Sequence, residues 1–435
     1  MQLIGMDLGS TSIKAGILDT VTKRVAHETR RPFPGPLVNL PRGHFEVSAR
    51  AVCVAVDDVL DGLLAAAPDA EAIILCSQMH SMVLTDANGL ELTNILTWQD
   101  QRAALQDDGR APLIQELKQT LGVDRLLALG NDVWAARPVA MLVWLAQHNQ
   151  LPPNALFCSL PDFVGRHWCG GAELATDRTH AAASGMYDIL ANTWHRDALA
   201  ALGLDKLRLP MVVDERAVIG QVRRAGRTLD LLAPVSDQQC ALLGAGLAMG
   251  ELSINVSTGS QVAMMHAAPI TGGFQTRPYF AGRWLATLIH LPAGRALNAL
   301  VQLLSQLAEA EGHQLRDQWS TIERMTRITP ASDVAIDLSF FAGALGDHGQ
   351  IGNLREDNLT IGHVFRSAFA QMARNYYQAA LALDPSVSWK GVVLSGGLAR
   401  QSSVLQQEIA SQFKCPVRMP EGAEDALTGM LSLFQ

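Results

Sequence analysis

The 435-residue chain is sparing with charge and carries no patterned cysteines and no long apolar run. Charged residues make up 17% of it, below the roughly 25% usual in soluble domains, as expected when much of a chain is buried. Lysine and arginine number 34 against 42 aspartate and glutamate, a formal net charge of −8 with no basic cluster. Such a balance argues against a nucleic-acid or anionic-membrane partner. No uncharged apolar stretch reaches the ~18 residues of a membrane-spanning helix. Asp7 interrupts the first apolar run, so a signal-peptide layout is missing too. Glycine and proline are near average, which excludes a fibrous or low-complexity chain. Cys53, Cys76, Cys158, Cys169, Cys240 and Cys415 show neither Cys-x-x-Cys nor Cys/His ligand spacing, against a disulfide framework or a structural metal. The expected compartment is the cytoplasm.

What is present has a repeated organisation. Gln2–Leu18 reads as strand, Gly/Ser/Thr turn and strand, with a third strand at about 24–29. A helix follows over about 51–67, stopped by Pro68, then strands at 72–76 and 82–85 with an Asp86–Gly89 turn. Helices are predicted at about 111–121 and 140–148, and a loop-rich stretch runs to about Val213. The opening theme returns at Leu252–Met265, about 250 residues later, with strands at 284–289, 391–394 and 417–419. Helices are predicted at about 295–311, 361–383, 401–413 and 424–433. The stripe Leu297, Leu300, Val301 and Leu304 reads as core, and Asp107-Asp108 as a solvated loop. The pattern predicts an α/β fold of two related domains, residues 1–233 and 234–435, with a boundary near Pro234.

The residues that could carry chemistry sit at the turns. Backbone N–H groups of Gly/Ser/Thr turns bind phosphate oxygens, and small side chains allow close approach. Two such turns occur, Gly9–Ser12 and Ser257–Ser260, and a glycine pair, Gly396-Gly397, follows a strand. Asp7 precedes the first turn, where a carboxylate can hold Mg²⁺ or simply shape the turn. No Walker A pattern occurs, so nucleotide binding must use another architecture. Asp237 suits a helix N-cap on its own merits, and a lone His80 after a strand is more often structural. Asp100 and Arg102 can form an ion pair that holds their loop.

In sequence order, five segments resemble the motifs of the FGGY carbohydrate kinases, from Met6–Lys14 to Leu394–Arg400. Between them stand Ser77-Gln-Met-His80 with Thr97-Trp-Gln-Asp-Gln-Arg102, then Ser236–Gly244, then Ile254–Ser260. The resemblance implies a two-lobed actin-like, Hsp70-like (ribonuclease H-like) ATPase fold with a central cleft. The first lobe would bind sugar and the second nucleotide. It implies ATP and Mg²⁺, with Asp7 toward the metal and Asp237 as the base that takes a proton from a sugar hydroxyl. Met79, His80, Trp98, Asp100, Arg102 and Gln238 would meet the sugar. Gly9, Ser10, Thr11, Ser12, Lys14, Thr258, Gly259, Ser260, Gly396, Gly397 and Gln401 would meet the nucleotide.

Within the family, Thr97–Arg102, Ile254–Thr258, Arg277–Ala286 and Leu359–His363 resemble sedoheptulokinases most, with xylulokinases or another pentulose or polyol kinase as competitors. The partner implied is a small sugar, and a homodimer stays open. Some positions depart from the family: Met141 where lysine is common, Gln401 where asparagine is, and Ser77 and Ser81 where glycine is usual. The chain is also shorter than a typical member. Two other classes compete: a sensor that keeps the fold without turnover, and a chaperone-type ATPase. Asp7 and Asp237 count against the first. Against the second, no peptide-binding extension follows Phe434.

Overall fold

A computed structural model describes residues 1–106, 111–172, 175–341, 343–420 and 425–435. Asp107 and Asp108, read above as a solvated loop, lie outside the described residues. The chain divides into two units. The first comprises Met1–Gly246, Ala267–Trp284 and Gly422–Gln435; the second comprises Leu247–His266 and Leu285–Glu421.

The first unit is built on a sheet whose strands run in the order Val218–Arg224, Arg227–Leu232, Ala70–Ser77, Gln2–Leu8, Ser12–Asp19, Arg24–Pro32. The last three form the antiparallel meander predicted from the Gly/Ser/Thr turn, and Ala70–Ser77 joins them in parallel. Gln2–Leu8 is buried on both faces from Leu3 onward, which fits its near-continuous apolar run. The helix Ala49–Ala66 covers the sheet with Val52, Val56, Val59, Leu60 and Leu63. Full burial of each such side chain contributes about 1.5–3 kcal/mol. Ser48 starts it by accepting from the Ala51 N–H.

The stretch up to Val213, expected to be loop-rich, holds the strand Leu156–Ser159 and the helix Leu160–Trp168. Ser159 and Asp162 form a capping box there, and Pro161 falls in the first turn, where no N–H is needed. Leu160, Phe163, Val164 and Trp168 join the core beneath the main sheet. Shorter helices follow at Arg178–Ala183 and Arg196–Ala201. A second core gathers Leu142, Phe157, Tyr187 and Trp194, and buried Met141 belongs to it.

The second unit repeats the arrangement. Its strands run Trp284–Leu291, Ser260–His266, Glu251–Val256, Gly391–Ser395, Val417–Arg418. Glu251–Val256 pairs antiparallel with Ser260–His266 and parallel with Gly391–Ser395, which pairs parallel with Val417–Arg418. The helix Ile361–Leu383 begins at Thr360, whose side chain accepts from the His363 N–H. The stripe of the helix Gly294–Ala310 is buried at Leu297, Leu300 and Val301, but Leu304 is 49% exposed. Ser305 takes the inward place instead and bonds back to the Val301 carbonyl. The helix expected at 401–413 runs from Ser403 to Phe413, because Ser402 caps it by accepting from the Leu405 N–H, and a separate short helix, Gly397–Gln401, precedes it.

Strand pairing keeps the chain in the first unit beyond the expected boundary at residue 233/234. Val235–Ser236 pairs in parallel with Ala70–Ser77, and the helix Asp237–Gly244 packs on the helix Asp425–Ser432. The chain leaves the first unit at Gly246.

Candidate active site

Register aligns the acidic residues of the first unit. Asp7 lies level with Cys76 on the neighbouring parallel strand, and Cys76 lies level with Val235, two residues before Asp237. Ser236 is the N-cap of the following helix, so Asp237 occupies its first position rather than the cap. Its carboxylate accepts from the Gln238 N–H at 2.8 Å. Burial, then the negative charge of Asp7, push the Asp237 carboxyl up to about 7. The Gln238 N–H and Arg277 oppose that rise. Asp7 is 3.8 Å from Lys14 Nζ, its cross-strand partner, and accepts from Cys76 Sγ at 3.4 Å. Cys76 and Cys240 meet through their thiols, both pushed up by burial and so protonated.

The strand ending at Ser77 delivers Gln78, Met79 and His80. His80 has φ +67°, a left-handed conformation that few side chains other than glycine adopt at low cost. Its Nδ1 is 2.8 Å from the Ala183 carbonyl, which can only accept, so the proton sits on Nδ1 and Nε2 carries a lone pair. Burial first, and then Arg137, hold the ring neutral by driving its pKa well below 6.5. Met79 is buried. Of the two serines that replace glycine, Ser77 donates to the Gln78 carbonyl at 2.9 Å. The Ser81 Oγ and the Gln78 Nε2 are buried without a hydrogen-bond partner among the described residues.

Sequence reasoning missed a buried ion cluster beside them. Asp132 accepts from Arg137 through Oδ1 (Nε 3.0 Å, Nη2 2.7 Å) and from Arg277 through Oδ2 (Nε 3.0 Å, Nη2 2.9 Å). Burial raises the Asp132 pKa, but the two guanidiniums outweigh it and hold the carboxyl well below the usual carboxylate range. Arg277 Nη1 donates to Gln238 Oε1 and lies 3.8 Å from Met79 Sδ. The only sequence signal was Arg137 before a helix-starting proline; Asp132 and Arg277 stand 145 residues apart.

Asp100 and Arg102 belong to a different knot of contacts. Asp100 accepts from Arg102 Nε at 2.9 Å, Arg102 Nη2 at 2.7 Å and the Phe45 N–H at 2.8 Å. Arg102 also reaches Glu46 at 2.6 Å and stacks 4.9 Å over the Trp144 ring. This is the loop-holding ion pair that the sequence allowed as an alternative. Trp98 stands beside it, 42% exposed.

The turns differ in how they are closed. At the first, Gly9 N–H donates to the Ser12 carbonyl at 3.1 Å, leaving Ser10 and Thr11 at an exposed tip. In the second unit, the Ser257 and Thr258 carbonyls accept from the N–H groups of Gly294 (3.1 Å) and Arg295 (2.8 Å). Ser260 Oγ bonds the Tyr376 hydroxyl at 2.6 Å. The glycine pair meets this turn: Gly397 N–H reaches Ser257 Oγ at 3.4 Å. Gly396 has φ +98°, and a Cβ there would lie 2.3 Å from the Val256 carbonyl oxygen. The structure thus brings the Ser257–Ser260 turn and the Gly396-Gly397 pair together in the second unit. Gln401 ends the short helix after it and is exposed.

Among the described residues no group of three or more metal-ligating side chains occurs. A single carboxylate such as Asp7 fits Mg²⁺, which is usually held by one or two carboxylates plus substrate phosphates and waters. No helix among the described residues is long and apolar enough to cross a membrane.

Comparison with known proteins bears on the family and the fold. Residues 2–244 match the N-terminal domain of the FGGY family of carbohydrate kinases. A xylulose kinase of Streptomyces coelicolor is 26% identical over 440 residues, spanning 97% of this chain and 85% of that protein. A glycerol kinase of Bordetella parapertussis is 25% identical over 463 residues, spanning 99% and 87%. The crystal structure of a gluconate kinase from Lactobacillus acidophilus superposes with a TM-score of 0.86 at 19% identity, over 99% of this chain and 88% of that one. The α/β fold is therefore that of the two-domain, actin-like carbohydrate kinases.

Proposed function

The chain belongs to the FGGY family of carbohydrate kinases and is a phosphotransferase; from that premise we propose that it moves the γ-phosphoryl group of ATP to a terminal hydroxyl of a ketose, with Asp237 as the base. The observation that carries the proposal is the Asp237 carboxyl, pushed up to about 7 and so poised to exchange a proton near neutrality. As the hydroxyl oxygen attacks, its proton passes to the carboxylate; the bond from the γ-phosphorus to the bridging oxygen breaks and ADP leaves.

In this reading the first unit takes the sugar and the second takes the nucleotide. His80 accepts a sugar hydroxyl at Nε2, Met79 gives an apolar wall, and Gln238 adds an amide contact. Asp100 and Arg102 act by holding the loop that presents Trp98. The turn at Gly9, Ser10, Thr11 and Ser12, with Lys14, meets phosphate, as does the cradle of Thr258, Gly259, Ser260, Gly396 and Gly397. Gln401 lies toward the nucleoside. Asp7 is the residue that would hold Mg²⁺, which supplies charge neutralisation at the phosphates. A cytoplasmic location accompanies this reading, and a homodimer stays open.

Two substrates compete. The segments Arg277–Ala286 and Leu359–His363 favour sedoheptulose, while relatives named for xylulose and glycerol favour a shorter acceptor. ADP release with MgATP should be measured against sedoheptulose, D-xylulose, xylitol, glycerol and gluconate. We expect a ketose to give the highest kcat/KM; stimulation by gluconate or glycerol alone would reject the ketose assignment.

A further inference from the structure

The helix Asp237–Gly244 starts without the bond that a serine cap ordinarily gives. Ser236 stands at the N-cap, yet its side chain accepts from no N–H of the first turn. It turns to Thr179 instead. Ser236 Oγ donates to Thr179 Oγ1 at 3.0 Å, and the Ser236 N–H donates to the same oxygen at 2.9 Å. Thr179 Oγ1 in turn donates to Asp177 Oδ1 at 2.9 Å. A hydroxyl has one donor and two acceptor positions, and in Thr179 all three are taken. Asp177 is held as well, accepting from the N–H groups of Thr179 and His180 at 3.0 Å each. Asp177, Thr179 and Ser236 are 2%, 3% and 0% exposed, so water cannot readily replace a bond that is lost there.

We infer that Thr179 is a positioning residue for Asp237, fixing through Ser236 the backbone from which the carboxylate projects. The inference rests on the proposed kinase reading, in which Asp237 is the base. The parallel pairing of Val235–Ser236 with Ala70–Ser77 anchors that backbone to the sheet. Thr179 adds an anchor from another element, on the residue immediately before Asp237. The same element reaches the sugar side of the proposed site. The helix Arg178–Ala183 is six residues long, with Thr179 near its start and, at its end, the Ala183 carbonyl that accepts from His80 Nδ1 at 2.8 Å. One short helix thus ties the residue before Asp237 at one end and His80 at the other.

Proton transfer depends on where the carboxylate stands, and a displacement of about 1 Å can cost about a hundredfold in rate. A purely structural Thr179 would be missed equally whatever stands at position 237. A positioning Thr179 is missed only while there is a base to position.

The test is a double-mutant cycle on phosphoryl transfer from MgATP to the preferred sugar, in wild type, Thr179→Val, Asp237→Asn and the pair. Thr179→Val keeps the shape and removes the hydroxyl. We expect it to lower kcat about tenfold or more while the KM for sugar stays within about threefold, because the Ala183 carbonyl is backbone and still holds His80. In the Asp237→Asn background the same substitution should cost less than about twofold. Thr179→Ser, which returns the hydroxyl, should bring kcat to within about threefold of wild type. A far-ultraviolet circular dichroism spectrum checks that each variant folds. If Thr179→Val does not fold, Ser236→Ala takes its place in the cycle, with a several-fold loss expected only where Asp237 is present. An unmoved kcat, an equal loss in both backgrounds, or no rescue by Thr179→Ser overturns the inference while the kinase reading stands. Asp237→Asn as active as wild type, or a wild type silent on every sugar, overturns both.

Discussion

Asp237 decides more than any other residue, and its environment makes opposite demands on activity and stability. Burial and Asp7 push its carboxyl to about 7. Below that value the proton is on, and the base proposed for the reaction is lost. The kcat/KM for the preferred sugar should therefore rise about tenfold per pH unit up to about 7 and level off above it. A limb near 4 would contradict the upward shift of the Asp237 carboxyl. For stability the sign is reversed. The folded-state value exceeds the ordinary 3.8, so the group's contribution is full below pH 3.8 and is lost as pH rises through about 7. Asp237→Asn, which still accepts from the Gln238 N–H, should raise Tm relative to wild type at pH 8 more than at pH 5. Thermal unfolding at the two pH values checks this; equal shifts would contradict the burial argument. The neutral His80 and the ionised Asp132 complete the picture: burial, then Arg137, keeps the ring uncharged, while Arg137 and Arg277 keep the carboxyl charged against its burial.

The element that carries Asp237 is set by its neighbour. The helix Asp237–Gly244 packs on Asp425–Ser432 so closely that a Cβ on Gly429 would lie 1.9 Å from the Cys240 carbonyl oxygen. Backbone cannot yield there without shifting the Asp237 helix. Gly429→Ala should lower Tm by several degrees and reduce kcat more than it changes KM; wild-type Tm and kcat in that variant would refute the close packing. The glycine was visible in the sequence, but its reason was not, because Cys240 is remote along the chain.

The same contrast runs through the other elements. Ile361–Leu383 was legible to its ends, since its cap and periodicity are local. The short motifs Asp7–Lys14 and Ser77–His80 were legible for the same reason, each being a strand and the turn that follows it. Leu160–Trp168 was hidden because Pro161 reads as a breaker until the cap at Ser159 shows it lies in the first turn. Asp132, Arg137 and Arg277 were hidden because only the tertiary fold brings them together.

At the scale of the molecule, each unit repeats one strand order. In both, a Gly/Ser/Thr turn joins two antiparallel strands, and two further strands add in parallel on one side. The recurrence about 250 residues apart in the sequence is thus a recurrence of topology. It also divides the proposed chemistry: the carboxylates Asp7 and Asp237 and the residues proposed for the sugar lie in the first unit, and the Ser257–Ser260 turn with Gly396 and Gly397 lies in the second.

The central claim is that Asp237 in that framework is the base of a sugar kinase. Its most direct test is single-turnover transfer from radiolabelled ATP at pH 8, comparing wild type with Asp237→Asn on the preferred sugar. The account predicts labelled sugar phosphate from the wild type and a fall of about 10²–10⁴-fold in the variant, with ATP binding unchanged. Transfer in Asp237→Asn within a few-fold of wild type would contradict it.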